Sequence, residues 1–271
     1  MTWRIARWEL RMSRVELPAV SFSFDGVQLP QPRDIAIETA VNVVYGDRPY
    51  AVMMATPNDV EDFAVGFTVT EGVADFAQIL GVKVNELEAG LEAVVTLSVE
   101  APVRERNVTG RTGCGLCGVA SFDDMPRADV VERATTPVSL AAVKRALSSL
   151  EGAQPLNGRT RSVHAAAWCS ADGTIEVLRE DVGRHCALDK LIGARLRAGQ
   201  GAGDGFLLLT SRCSYELVDK AVVYGARTIV CISAPTSYAI ERAQVHDVTL
   251  LAVARHDGVL AFHGAERVRR V

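Results

Sequence analysis

No run of this 271-residue chain approaches the roughly 20 consecutive apolar residues of a membrane span, although 48% of it is hydrophobic. A secretory signal is missing as well, since residues 1–14 contain no apolar stretch of the kind such signals need. Neither sign of charge dominates. The net charge of −4 exerts no general pull on nucleic acid or an anionic membrane, so any basic site is local. A disulfide framework is also lacking: the six cysteines fall at 114, 117, 169, 186, 213 and 231 without regular spacing, and reduced thiols in a cytoplasmic protein are expected. Internal repeats and low-complexity linkers are absent too. What is left is a soluble globular chain, long enough for one large domain or two modest ones.

Within that ordinary background one stretch stands out: Gly110-Arg111-Thr112-Gly113-Cys114-Gly115-Leu116-Cys117-Gly118. Four glycines surround two thiols, and glycine both reaches unusual backbone angles and leaves its neighbours unshielded. Arg104, Arg106 and Arg111 add positive charge, which favours the nucleophilic thiolate. A CxxC pair supports three chemistries: half of a zinc site, a dithiol/disulfide couple, or a sulfur relay through a persulfide. A structural zinc needs two further ligands, and no second cysteine pair offers them. Cys169, Cys186 and Cys231 read as small core residues.

Read in order, the chain opens on an arm over residues 1–20, expected to lack fixed order. Arg4, Arg7, Arg11 and Arg14 fall near one helical face, but Glu9 and Glu16 interrupt a basic amphipathic anchor, and Met12 is an alternative start. Residues 21–130 read as a smaller α+β lobe carrying the CxxC loop. In it, alternating β-branched residues over 35–45 and an apolar run over 50–55 predict a hairpin. Thr56-Pro57-Asn58-Asp59 predicts a helix start, running to about Thr70, and a strand follows near 93–99. Pro126 and Pro137 flank a charged junction, and a helix is expected over 140–150.

Residues 131–271 change character. Strand signals at 163–169, 174–179, 206–210, 228–233 and 249–254 alternate with helix signals at 187–197, from Ser214 onward and at 236–243. This pattern predicts a layered α/β domain with a largely parallel portion, whose sites gather at strand carboxyl ends. Polar clusters stand at those positions: Glu180-Asp181-Val182-Gly183-Arg184-His185, Thr210-Ser211-Arg212-Cys213-Ser214 and Ser233-Ala234-Pro235-Thr236-Ser237. Each joins a strand to a helix start, where free N–H groups suit an anion. For the first cluster an Asp181 cap paired with His185 is an equally simple reading. The three in succession predict a phosphate-bearing ligand. Zinc deamination is disfavoured: Ala166 stands two after His164 where the glutamate belongs, Gly113 precedes Cys114 where proline belongs, and the order of histidine and cysteines is reversed.

Together with the segments 61–67, 71–72, 164–168, 180–191, 211–220 and 233–239, the CxxC stretch resembles the FdhD family of formate dehydrogenase accessory sulfurtransferases, over about residues 20–262. The resemblance implies a cytidine-deaminase-like α/β core and a homodimer. It implies a protein that takes persulfide sulfur from a cysteine desulfurase and passes it to the molybdenum (or tungsten) bis-guanine-dinucleotide cofactor destined for formate dehydrogenase. Carried over by position, Cys114 is the persulfide carrier and Cys117 the second loop thiol. Val253, Ala254, Arg255, His256, Asp257 and Gly258 would touch the guanine-nucleotide part, joined by Arg184, His185, Ser211 and Arg212 from the anion-friendly junctions. The chain departs from the family pattern at Val163, where threonine often precedes the histidine, and in the composition of 253–258. Two other classes stay open: a thiol–disulfide oxidoreductase using Cys114 and Cys117, and a non-catalytic chaperone of the molybdenum cofactor. Neither an intrinsic metal, a nucleic-acid partner nor a membrane is expected.

Overall fold

The computed structural model describes residues 13–102, 128–129 and 136–270. Two short antiparallel ribbons come first: β1 (Arg14–Leu17) pairs with β4 (Arg33–Ala36), and β2 (Val20–Phe22) with β3 (Gln28–Pro30). Within the stretch expected as a loose arm, residues 14–17 are thus strand. Asp34 explains this locally, because both Arg14 and the distant Arg159 ion-pair with it.

The expected hairpin is present as β5 (Thr39–Tyr45) and β6 (Arg48–Ala55), turned at Gly46 in the left-handed region. Helix α1 (Val60–Thr70) begins later than the Thr56-Pro57 signal suggests. Asp59 precedes it with φ 53 and caps nothing through its side chain. Thr56 is occupied elsewhere: its N–H donates to Asp181 Oδ2 at 3.0 Å, and its Oγ1 accepts from Val182 N at 3.1 Å. Strands β7 (Ile79–Leu87) and β8 (Gly90–Leu97) complete a four-stranded sheet of order β6-β5-β8-β7. Its inward residues Val41, Val43, Ala93 and Val95 pack against Phe63, Ala64 and Phe67 of α1.

After the two-residue strand β9 (Val138–Ser139), helix α2 (Leu140–Leu150) starts where expected, with Ser139 Oγ accepting from Ala142 N at 3.1 Å. Short helix α3 (Pro155–Thr160) leads into β10 (His164–Cys169), β11 (Ile175–Asp181), α4 (Arg184–Arg197), β12 (Phe206–Leu209), α5 (Tyr215–Tyr224), β13 (Thr228–Cys231), α6 (Ser237–Val245), β14 (Thr249–Arg255) and β15 (Gly258–His263). The last strand, β16 (Val268–Arg269), returns to pair with β9. The large sheet has the order β11-β10-β12-β13-β14-β15, parallel across β12-β13-β14 and antiparallel at both flanks. Alternation along β12 shows why it is a middle layer: Leu207 and Leu209 face α4 and α5, while Phe206 and Leu208 face α2. This is the expected layered α/β core, with helices on both faces.

Helices α1 and α4 join the two sheets. A methyl group added at Gly66 would lie 1.8 Å from Asp189 O, and one at Gly193 would lie 1.8 Å from Asp62 O. The helices therefore cross backbone against backbone, which only glycine permits. Below the crossing a buried ion pair ties the same elements together. Lys190 Nζ lies 2.6 Å from Asp181 Oδ2 and donates to Thr56 O at 2.9 Å, with Lys190 and Asp181 fully buried.

Candidate functional site

Strand direction assembles the site. β11 and β12 are each antiparallel to β10, so they run the same way as β13 and β14, and their carboxyl ends share one edge. Residues 181–185, 210–214, 233–236 and 253–258 line that edge, and His164 opens β10 beside them, opposite Asp181. The loops are laced to one another. Thr236 N donates to Cys213 O at 2.9 Å, Val253 N to Ser233 O at 3.3 Å, and Ala165 N to Thr210 Oγ1 at 2.8 Å. Every binding residue expected among 184–258 thus belongs to one edge of the sheet.

Their roles differ. Arg184 and His185 open α4, whose N-cap Gly183 offers no side-chain cap, and Ser214 precedes α5 without capping it. Arg184 Nε, His185 Nε2 and Ser214 Oγ are buried and hydrogen-bond to nothing among the described residues. Two neighbouring helix starts therefore present uncapped N–H groups together with unused polar atoms, an arrangement suited to an anion. Burial, aided by Arg184 and Lys220, lowers His185 to about 3, so its imidazole is neutral near pH 7. Burial and Arg184 lower His164 as well. Ser211 is buried and Arg212 exposed. Arg255, His256, Asp257 and Gly258 form the exposed turn between β14 and β15, with Arg255 donating to Ile232 O and, at 2.9 Å, to Ala254 O. Val253 has φ 53, a left-handed conformation that is rare for a β-branched residue.

The alternative reading of the first cluster does not hold. Asp181 accepts from Gly183 N at 2.7 Å and pairs with Lys190, while His185 lies instead 3.9 Å from Glu216. Glu180 serves a different element, accepting from Leu156 N at 2.9 Å and Asn157 N at 2.7 Å at the start of α3.

A second feature went unnoticed in the sequence. A cavity of about 290 Å3 opens between the end of α1, α4 and α5. At its wall Lys220 Nζ lies 3.0 Å from both Asp189 oxygens, 2.9 Å from Glu71 Oε1 and 2.8 Å from Thr70 Oγ1. Burial alone would lower the Lys220 ammonium, but Asp189 and Glu71 outweigh it and hold the group above its ordinary value. Burial pushes Asp189 up to about 6 against the pull of Lys220. The available signal was charge at helical positions otherwise filled by apolar residues, in Ala187-Leu188-Asp189-Lys190-Leu191 and Val218-Asp219-Lys220-Ala221.

Cys114 and Cys117, with Arg104, Arg106 and Arg111, lie outside the described residues. The four described cysteines are all buried. Burial raises the Cys169 thiol to about 12 and lifts Cys186 well above its ordinary value, while a hydrogen bond with Cys213, then burial, raises Cys231. Cys213 stands at a strand end but is 0% exposed, so it does not face a pocket.

A mixed sheet clothed by helices on both faces, with a donor-lined edge at its strand ends, defines a layered α/β protein with a second sheet docked through α1. The chain belongs to the FdhD/NarQ family, whose model matches residues 36–269. It is 44% identical over 238 residues to the sulfur carrier protein FdhD of Xanthomonas euvesicatoria pv. vesicatoria, covering 84% of each chain. It is 37% identical over 256 residues to the protein of that name from Cupriavidus necator, covering 93% of this chain and 89% of the relative. The crystal structure of a putative formate dehydrogenase accessory protein from Desulfotalea psychrophila has the same fold, with a TM-score of 0.73 at 23% identity over 94% of this chain and 99% of that one.

Proposed function

We propose that this protein is a cytoplasmic, homodimeric sulfur carrier. Cys114 accepts sulfur from a cysteine desulfurase and delivers it to molybdenum bis(molybdopterin guanine dinucleotide), its substrate, before that cofactor enters formate dehydrogenase. The observation that carries the reading is the similarity, over 84% of the chain or more, to relatives described as sulfur carrier proteins. The described thiols support it by default: all four are buried, which leaves the loop pair to meet a donor and an acceptor in turn. The sheet edge supports the nucleotide half. Phosphates would rest at the starts of α4 and α5 with Arg184, His185, Ser211 and Arg212, and the turn over 253–258 would hold the guanine-nucleotide portion.

The chemistry balances as thiol exchange. The Cys114 thiolate attacks the outer sulfur of the desulfurase persulfide, and the desulfurase cysteine leaves as a thiolate. Cys114 then carries the sulfur as a persulfide. If the Cys117 thiolate attacks Cys114 Sγ, a Cys114–Cys117 disulfide forms and the outer sulfur leaves with the electron pair as hydrosulfide. A thiol reductant must then restore the pair.

Incubation with a desulfurase and cysteine, followed by intact-mass measurement, tests the reading. A mass gain of one sulfur atom is expected for the wild type and for Cys117→Ala, but not for Cys114→Ala, and Cys117→Ala should transfer it poorly. Sulfur mapped by tryptic digestion mainly to another cysteine would overturn the assignment.

A further inference from the structure

We infer that the cavity between α1, α4 and α5 receives an arginine side chain from a protein partner. Six carboxylates line it, those of Glu71, Asp75, Asp129, Asp189, Glu216 and Asp219, against one cation, Lys220. Lys220 is already satisfied by Thr70, Glu71 and Asp189. Asp219 pairs with Arg242 outside the cavity wall, which leaves Asp75, Asp129 and Glu216 without a Lys or Arg partner among the described residues.

Two buried atoms in the wall point to a missing donor. Asp219 binds Arg242 Nε through Oδ1 at 2.8 Å, while its Oδ2 is buried and hydrogen-bonds to nothing among the described residues. His185 Nε2 is likewise buried and unpartnered, 3.9 Å from Glu216 Oε2, with the residue only 6% exposed. A buried acceptor left unmade costs about 1–3 kcal/mol, so a donor entering the cavity meets an existing deficit.

Size and surface select the donor. At about 290 Å3 the cavity sits at the lower bound of the roughly 300–1,000 Å3 typical of small-molecule clefts, room for one long side chain. Phosphates would be repelled by its carboxylates, so the cavity itself does not suit the nucleotide proposed for the sheet edge. Met53, Phe67, Val69 and Val223 supply apolar walls for a methylene stem. A planar guanidinium offers five N–H donors in a fork that meets two carboxylates at once, which a single ammonium does not. This site uses neither loop cysteine and shares His185 with the phosphate contacts proposed for the sheet edge.

The test titrates the full-length protein, observed by NMR, with a capped pentapeptide of one arginine between glycines. The same peptide with citrulline, an uncharged shape match, is the control. The arginine peptide should bind in the millimolar range and at least tenfold more tightly than the citrulline peptide, with shifts at His185. Glu216→Gln should weaken it about tenfold, the loss of one charge-assisted contact. Val223→Trp, at an exposed position on the rim, should block it, with thermal melts confirming that both variants fold. Equal binding of the two peptides, no binding to the wild type, or full binding by folded Val223→Trp would overturn the inference. Binding of free argininamide without binding of the peptide would overturn the protein partner.

Discussion

At the scale of the residue, His185 and Asp189 oppose each other one helical turn apart on α4. His185 is lowered from 6.5 to about 3 in the folded protein, so the unfolded chain binds its proton first. Its contribution to stability is complete above about 6.5 and is lost as pH falls toward 3. Asp189 is raised from 3.8 to about 6, so its contribution is present below 3.8 and is lost as pH rises through 6. The two slopes largely cancel between pH 4 and 6, and wild-type stability should vary little there on their account. His185→Gln removes one of them. Relative to the wild type, this variant should gain about 2 kcal/mol on going from pH 7 to pH 5, read from urea denaturation at the two values. A difference between the proteins that stays constant with pH would mean that the imidazole is not held neutral by burial.

Elements are decided by contacts that no single segment contains. The crossing of α1 and α4 rests on Gly66 and Gly193, each facing the backbone of the other helix. Gly193→Ala places a methyl group 1.8 Å from Asp62 O, an obstacle that no rotamer change removes. The cost should reach the upper end of the range for overpacking, about 3 kcal/mol or more, with the lobes loosened. Gly158→Ala in α3 is the control: nothing lies within 4 Å, and a gain of about 0.5–1 kcal/mol from helix propensity is expected. Chemical denaturation checks both, and a Gly193→Ala protein as stable as the wild type would refute the close crossing. The same dependence on distant contacts marks what the sequence revealed and what it hid. α2, α5 and α6 were legible because an apolar stripe and a capping hydroxyl or helix-ending glycine lie within each segment. β7 was not: it is an edge strand, half exposed, with Gly81 and Asn85 interrupting its pattern, and pairing to β8 makes it a strand. Likewise Asp181-Val182-Gly183-Arg184-His185 was legible as a junction. That Glu180 caps α3 and Asp181 neutralises Lys190 was not, because those partners come from other elements.

For the whole molecule, the division of labour follows from where the groups lie. The proposed phosphate contacts come from 184–214 and the turn over 253–258, all on one sheet edge, whereas the proposed sulfur carrier sits at Cys114 in a separate stretch of chain. Nucleotide binding and sulfur loading should therefore separate under mutation. Arg212 is the better probe of the edge, because Arg255 already spends hydrogen bonds on Ile232 and Ala254 and its loss would disturb the turn itself. Arg212 is exposed, so Arg212→Ala should fold normally. Losing one charge-assisted phosphate contact costs about 1.5–3 kcal/mol, roughly ten- to a hundredfold in affinity for GDP by calorimetry. Cys114→Ala and Cys117→Ala should bind GDP as the wild type does, and Arg212→Ala should still gain sulfur from the desulfurase. A wild-type protein that does not bind GDP would remove the nucleotide from the sheet edge. GDP affinity that falls with the loop cysteines would instead mean that the loop forms part of the nucleotide site, and that loading and binding are one event.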